Sequence, residues 1–258
     1  MKTAILTLSP LGLVIAQKLA DNLPDSVVYR HITLARDEGD RAFERIKDIT
    51  AELFPKVKNL LYVMPTGVAV RAIAPLLRSK HSDPAVVLVD VGGRWAVSLL
   101  SGHEGGANDL ANEVANILDA ESIVSTTTEA VRTLIAGVGC RKGALAEDIV
   151  SAIEEALARI DADTEDLRLI ASVDLKEGEQ GLIAAAKILD RPLRFISSDS
   201  IRDSAIGFSD SAVARRRVSL PAVAEPAALL SGRRTKLILS KTVINGVTVA
   251  VARENCLS

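Results

Sequence analysis

NLLYVMPTGVAVRAIAPLLRS, residues 59–79, sets the fold class. Asn59 to Pro65 is a short and nearly continuous apolar run, as expected of a strand buried on both faces. Thr66 and Gly67 interrupt it. From Gly67 to Ser79 the apolar residues recur at helical spacing, with Pro75 placed to kink the helix. A buried strand feeding a helix through a short turn is half of a parallel strand–helix–strand unit.

The same rhythm continues on both sides. TAILTL (3–8) reads as a strand and PLGLVIAQKLADNL (10–23) as its helix; VVYR (27–30) is a second strand, followed by a helix near 40–53. AVVLVD and RWAVSLL flank Val91-Gly92-Gly93, the pattern of a hairpin. ANDLANEVANILDA (107–120) is helical, and ESIVSTTT gives a strand and a polar break. The second half restarts with the strand LIAGVGC (134–140), the amphipathic helix ALAEDIVSAIEEALARI (144–160) and the strand LRLIASVDL (167–175). GEQGLIAAAKILD (a helix), PLRFIS (192–197, a strand) and two short helices, SDSAVARRRV and EPAALLSG, follow. TKLILSK and GVTVAVAR close the chain as a hairpin around Asn245-Gly246. The expectation is two compact α/β domains, 1–131 and 132–258, with mainly parallel buried sheets flanked by helices.

Composition narrows the function. In 258 residues, 48% are apolar but only 3% aromatic, so the core is aliphatic. A formal charge of −2 and so few aromatic rings to stack on bases argue against nucleic-acid binding. Two distant cysteines, Cys140 and Cys256, form no metal-ligand or disulfide pattern, so no protein-held metal is expected. With no secretory leader and no apolar run of membrane-spanning length, a cytoplasmic protein is expected, without membrane partners.

The chemistry is expected in polar turns between strands and helices. SGHEGGAN (101–108) enters a helix through glycines, where backbone N–H groups and the helix dipole suit a carboxylate, a phosphate or a developing oxyanion. His103 is the candidate general base, with Glu104 as its orienting partner or substitute, and Ser101 completes the catalytic set. Gly102, Gly105, Gly106 and Asn108 are candidate ligand contacts. The bland alternative is a tight turn with His103 merely exposed. PTGVAVR (65–71) has the same form, with Thr66, Gly67 and Arg71 suited to an anionic group, or else a helix cap and a solvated arginine. GVGCRKG (137–143) lacks dinucleotide-fingerprint spacing, yet Cys140, Arg141 and Lys142 could meet an acidic ligand. Ser172, Asp174 and Lys176 alternate along a strand end and so should share one face. Arg215 to Arg217 form a basic run best read as a solvated surface.

Taken together, MPTGVAVRAIAPLLRSKHSDPAVVLVDVGGRWAVSLLSGHEGGANDLANEVA resembles the N-terminal region of the CbiG family of cobalamin-biosynthesis proteins. GVGCRKG, ASVDLKEGEQGL, PLRF and AVAEPAAL resemble the C-terminal region of that family, which also occurs alone as a small CobE-type protein. The resemblance implies a cobalt-precorrin-5A hydrolase that opens a δ-lactone and releases acetaldehyde to give cobalt-precorrin-5B. It further implies a carboxylate-rich tetrapyrrole as the ligand, no cofactor because the substrate carries the cobalt, and transient contact with neighbouring pathway enzymes. Arg71, Arg94, Arg141 and Lys142 then become anchors for substrate carboxylates, and amides near Gly67 and Gly102 to Gly106 become oxyanion holders. Many family members carry a segment between the two regions, whereas STTTEAVRTLIAGVG here runs from one directly into the other. The competing readings are a non-catalytic corrinoid-binding or carrier protein, and an α/β enzyme acting on a small phosphorylated ligand.

Overall fold

The computed structural model describes residues 2–34, 41–204, 206, 208, 220 and 222–255. The chain divides into two compact units, residues 1–126 and 127–258. Unit 1 contains β1 (Thr3–Thr7), α1 (Pro10–Asn22), β2 (Ser26–His31), β3 (Arg41–Phe43), α2 (Ile46–Leu53) and β4 (Asn59–Val63). It continues through α3 (Thr66–Ile73), β5 (Ala85–Val89), β6 (Trp95–Leu100), α4 (Ala107–Leu118) and β7 (Glu121–Ile123). The strands form one sheet in the order β3-β2-β1-β4-β5-β6-β7.

Strands β1 to β5 are parallel and buried between two helical layers. Leu13, Ala16 and Leu19 of α1 share one face with Leu110, Ala111 and Val114 of α4, packed on Ile5, Leu61 and Val87. Leu53 of α2 and Ala69 and Ile73 of α3 cover the other face, on Leu6, Leu60 and Val86. Adjacent strand residues thus feed opposite cores, and each fully buried aliphatic side chain stabilises by about 1.5–3 kcal/mol.

Two expectations change locally. The helix anticipated near 40–53 begins only at Ile46, because Arg41–Phe43 pairs with β2 and buries Phe43. The helix anticipated over 67–79 ends at Ile73 and tightens into a 3-10 turn, Ala74–Leu76, where Pro75 lacks the N–H that would continue it.

The hairpin expected at Val91-Gly92-Gly93 is present and reverses the chain: β6 is antiparallel to β5, and β7 is parallel to β6. Leu100 at the end of β6 therefore pairs with Val86 at the start of β5. The loop after β6 lies at the sheet edge where β4 and β5 begin, opposite the edge where they end.

Unit 2 contains α5 (Thr127–Ala130), β8 (Leu134–Gly139), α6 (Ala146–Ala158), β9 (Leu167–Val173), α7 (Gln180–Ile188), β10 (Leu193–Ile196) and α8 (Ser198–Asp203). It ends with α9 (Ala224–Leu230), β11 (Thr235–Ile244) and β12 (Val247–Glu254). The order is β10-β9-β8-β12-β11. β8, β9 and β10 are parallel, and the expected terminal hairpin adds β12 and β11 antiparallel, turning at Asn245 and Gly246 with positive φ at both. This sheet is evenly mixed, whereas the first is mainly parallel.

Ile149 and Ile153 of α6 and Leu182 and Ala185 of α7 cover one face. Ala227 and Ala228 of α9 cover the other, against Ile135, Leu169, Ala171 and Ala252. A Cβ at Gly137 would come within 1.9 Å of the Ala224 carbonyl oxygen, so only glycine lets α9 approach β8 this closely. The helix expected over SDSAVARRRV, including Arg215 to Arg217, lies outside the described residues, as does Cys256.

Candidate functional site

In unit 1 the loop from Ser101 to Gly106 carries the chain from β6 into α4. Its backbone folds back on itself: the Ser101 carbonyl accepts from the N–H groups of Gly105 (3.1 Å) and Ala107 (3.2 Å), and the Gly102 carbonyl accepts from Asn108 N–H (3.0 Å). Ser101 (φ 57°) and Gly106 (φ 84°) both sit in the left-handed region. A non-glycine there is uncommon and marks a conformation imposed by its surroundings. Gly105 has no room for a side chain, since a Cβ would lie 2.5 Å from Ser101 Cβ.

Buried polar groups brace the loop. Ser101 Oγ donates to the Asp83 carbonyl (3.1 Å), and both residues are buried. Asn108 accepts from Ser98 Oγ (2.7 Å) and donates to Thr126 Oγ1 (3.2 Å). Ser101 and Asn108 thereby brace the loop, with both side chains engaged within it. The amides of Gly105, Ala107 and Asn108 are likewise occupied. Those of Gly102, His103 and Gly106 make no hydrogen bond among the described residues.

Glu104 pairs with Lys80, from the stretch between α3 and β5. The Lys80 ammonium hydrogen-bonded to it holds the Glu104 carboxyl below the ordinary glutamate value. Glu104 is thus an ionised partner of Lys80, and the expected orientation of His103 by Glu104 is not seen. His103 is exposed and makes no side-chain hydrogen bond or ion pair among the described residues. A hydrogen-bonded, glycine-rich loop therefore presents an uncommitted imidazole to solvent.

Thr66, Gly67 and Arg71 lie at the opposite edge of the same sheet, where β4 enters α3. All three are exposed, and the Arg71 guanidinium lies over Gly67, with its nitrogens 3.3 and 3.4 Å from where a Cβ would stand. At this edge α1 leaves β1 toward one face and α3 leaves β4 toward the other. Such a topological switch point opens a crevice at the carboxyl ends of parallel strands, the usual ligand position in open α/β sheets. The length of a strand, five residues or about 16 Å, separates this crevice from His103. The two turns do not form one centre, and the Gly67 amide cannot serve an oxyanion beside His103. Arg94, at the hairpin before β6, is tied to Asp90 (3.1 Å) and stacks on Trp95 (4.4 Å to the ring centroid).

In unit 2, Cys140, Arg141 and Lys142 follow β8 at the carboxyl edge of the parallel strands. Burial raises the Cys140 thiol pKa, with Lys176 lowering and Glu179 raising it more weakly, so Cys140 is a protonated thiol and not a ready nucleophile. Ser172 and Asp174 leave the expected ligand face. Ser172 is fully buried and donates to the Val138 carbonyl (2.8 Å). β9 ends at Val173, and the 3-10 turn Asp174–Lys176 breaks the alternation that would have aligned the three side chains. Asp174 instead accepts from the N–H (2.9 Å) and hydroxyl of Ser198, capping α8.

Two family descriptions match successive parts of the chain. Residues 48–129 match the family described as cobalamin synthesis G N-terminal, and residues 134–252 match cobalamin synthesis G C-terminus. A protein CobE from Sinorhizobium sp is 34% identical over 49% of this chain and 83% of its own length. The chain belongs to the CbiG family. A cobalt-precorrin-5A hydrolase from Salmonella typhimurium is 25% identical to this CbiG-family chain, over 88% of the chain and 91% of the relative. That alignment runs over 320 positions, more than the 258 residues here, so the relative carries residues without a counterpart. Here the N- and C-terminal family regions are separated only by residues 130–133. The solved structure of CobE, a protein from the cobalamin (vitamin B12) biosynthetic pathway, is 36% identical over 48% of this chain and 91% of that chain, with a TM-score of 0.44.

Sequence reasoning missed the contacts of Lys80 and Glu179. Lys80 meets Glu104 across 24 residues, and Glu179 meets the Gly143 amide (2.7 Å) across 36. Neither contact has a local spacing signal; each exists only because the sheet brings distant loops to one edge. Among the described residues, no helix is long and apolar enough to cross a membrane.

Proposed function

We propose that this chain is a cobalt-precorrin-5A hydrolase, opening the δ-lactone of its tetrapyrrole substrate and releasing acetaldehyde to give cobalt-precorrin-5B. The observation that carries the reading is a relative of that name aligned along nearly the whole of both chains, with both family regions matched. Lactone opening needs a base to take a proton from water and donors to meet the oxyanion. In this reading His103 accepts the proton as water adds to the lactone carbonyl. The Gly102 and Gly106 amides stabilise the tetrahedral oxyanion. Collapse breaks the ester C–O bond, and the protonated imidazole returns its proton to the departing alkoxide. Expulsion of the aldehyde then takes a proton from that hydroxyl and breaks a carbon–carbon bond. The electron pair stays on a macrocycle carbon, which is protonated. Cobalt travels as part of the substrate.

A binding or carrier role is the second reading. It is favoured by the match of the C-terminal half to a CobE protein, whose name states no reaction. Anaerobic incubation of the purified chain with cobalt-precorrin-5A separates the two: the hydrolase releases acetaldehyde, whereas a carrier binds the substrate and releases none. His103→Ala should lower the rate by about 100-fold or more while the far-ultraviolet circular dichroism stays unchanged. Wild-type turnover in that variant would remove His103 from the mechanism.

A further inference from the structure

At the carboxyl end of β8 the turn through Cys140 to Gly143 carries two exposed cations, Arg141 and Lys142, neither in an ion pair among the described residues. The turn is anchored to the start of α7 at two points. Gly143 (φ 74°) donates its N–H to Glu179 Oε1 at 2.7 Å. Next to it, a Cβ on Gly181 would come within 1.9 Å of the Ala144 carbonyl oxygen, so the first turn of α7 backs directly onto the chain leaving the loop. The second oxygen of Glu179 lies 3.7 Å from Lys176 Nζ, and these two side chains are only 10% and 15% exposed. A pair so deeply placed adds little stability over an apolar pair of similar volume, because desolvation offsets its attraction. What it does supply is a fixed geometry at the end of the strands.

We propose that Glu179 is a positioning residue for an anion subsite in unit 2: by gripping the Gly143 amide it holds Arg141 and Lys142 as a paired receptor for ligand carboxylates. The inference rests on reading the ligand as a carboxylate-rich tetrapyrrole. Glu179 need not touch that ligand, since it acts through the turn. Without its acceptor the Gly143 amide is released, and the two cations lose their common placement.

The test uses the full chain and uroporphyrin, a polycarboxylate tetrapyrrole, with binding read from the shift of its Soret absorbance. Arg141→Ala/Lys142→Ala and Glu179→Ala should each weaken binding by about tenfold, the scale of a charge-assisted contact. Glu179→Gln keeps an oxygen acceptor for the Gly143 N–H and should stay within about twofold of wild type. Combining Glu179→Ala with the double variant should add nothing further, because residues acting through one contact are not additive. Wild-type binding by Glu179→Ala, or its full effect persisting in the double-variant background, would overturn the proposal. Should Glu179→Ala fail to fold, Arg141→Ala/Lys142→Ala binding as tightly as wild type would overturn it equally. Acetaldehyde is not measured here, so a failed hydrolase assay and a failed subsite assay remain separate results.

Discussion

Replacing Gly105 by alanine should disrupt the loop that presents His103, and the adjacent Gly106 supplies its control. At Gly105 the new Cβ meets backbone and Cβ atoms of Ser101 at 2.5 to 2.8 Å, none of which can swing aside as a flexible side chain would. Forcing a methyl group into packed structure costs about 1–3 kcal/mol. Displacing Gly105 also strains its hydrogen bond to the Ser101 carbonyl (3.1 Å), worth about 1 kcal/mol more. The expected total is about 3 kcal/mol. At Gly106 the Cβ meets nothing within 4 Å, and only the left-handed backbone (φ 84°) opposes it. That costs about 1 kcal/mol. Trp95, the only tryptophan of the chain, opens β6, the strand that ends at this loop, so its fluorescence in urea reports unit 1 without unit 2. With a slope of about 1.5 kcal/mol/M the midpoint should fall by about 2 M for Gly105→Ala and about 0.7 M for Gly106→Ala. Equal shifts, or none at Gly105, would refute the close packing of the loop on Ser101.

Two further predictions test residues whose roles changed between sequence and structure. The Glu104 carboxyl should titrate below its ordinary value of 4.5 in a carbon-13 nuclear magnetic resonance experiment, and Lys80→Ala should return it toward that value. Because the folded-state pKa is the lowered one, the pair's contribution is present above the unfolded-state pKa and is lost as pH falls through the folded-state value; an unchanged titration in Lys80→Ala would dismiss the pairing. Ser172→Ala should cost about 1 kcal/mol in thermal or chemical unfolding by removing the buried bond to Val138, yet leave uroporphyrin affinity unchanged. A loss of affinity without a loss of stability would return Ser172 to the ligand face.

Much of the architecture is legible because buried strands and amphipathic helices write different periods into the chain. β1, β4, β5 and their helices are visible as apolar runs and helical faces. The three-residue β3 is too short to show a period and merges with the helix that follows it. The decisive feature for the site, the hairpin at Val91 to Gly93, is itself readable. Its consequence is geometric: one reversal carries the next helix-entry loop to the far edge, parting His103 from Thr66 and Arg71 although their turns look alike. Alternation misleads at Ser172, Asp174 and Lys176, because period-two reasoning holds only while the chain stays extended, and the strand stops at Val173. The partners of Glu104 and Gly143 come from remote loops, so no window of sequence contains them.

In the proposed reaction water opens a lactone carried by a tetrapyrrole, and the loop of His103 directs it. Its most direct test is anaerobic turnover of cobalt-precorrin-5A by the full chain in oxygen-18 water, with acetaldehyde quantified and the macrocyclic product weighed by mass spectrometry. The expected result is acetaldehyde in step with substrate loss and one heavy oxygen retained in a product carboxylate. Substrate bound and recovered intact, or acetaldehyde released with no label in the carboxylate, would contradict it.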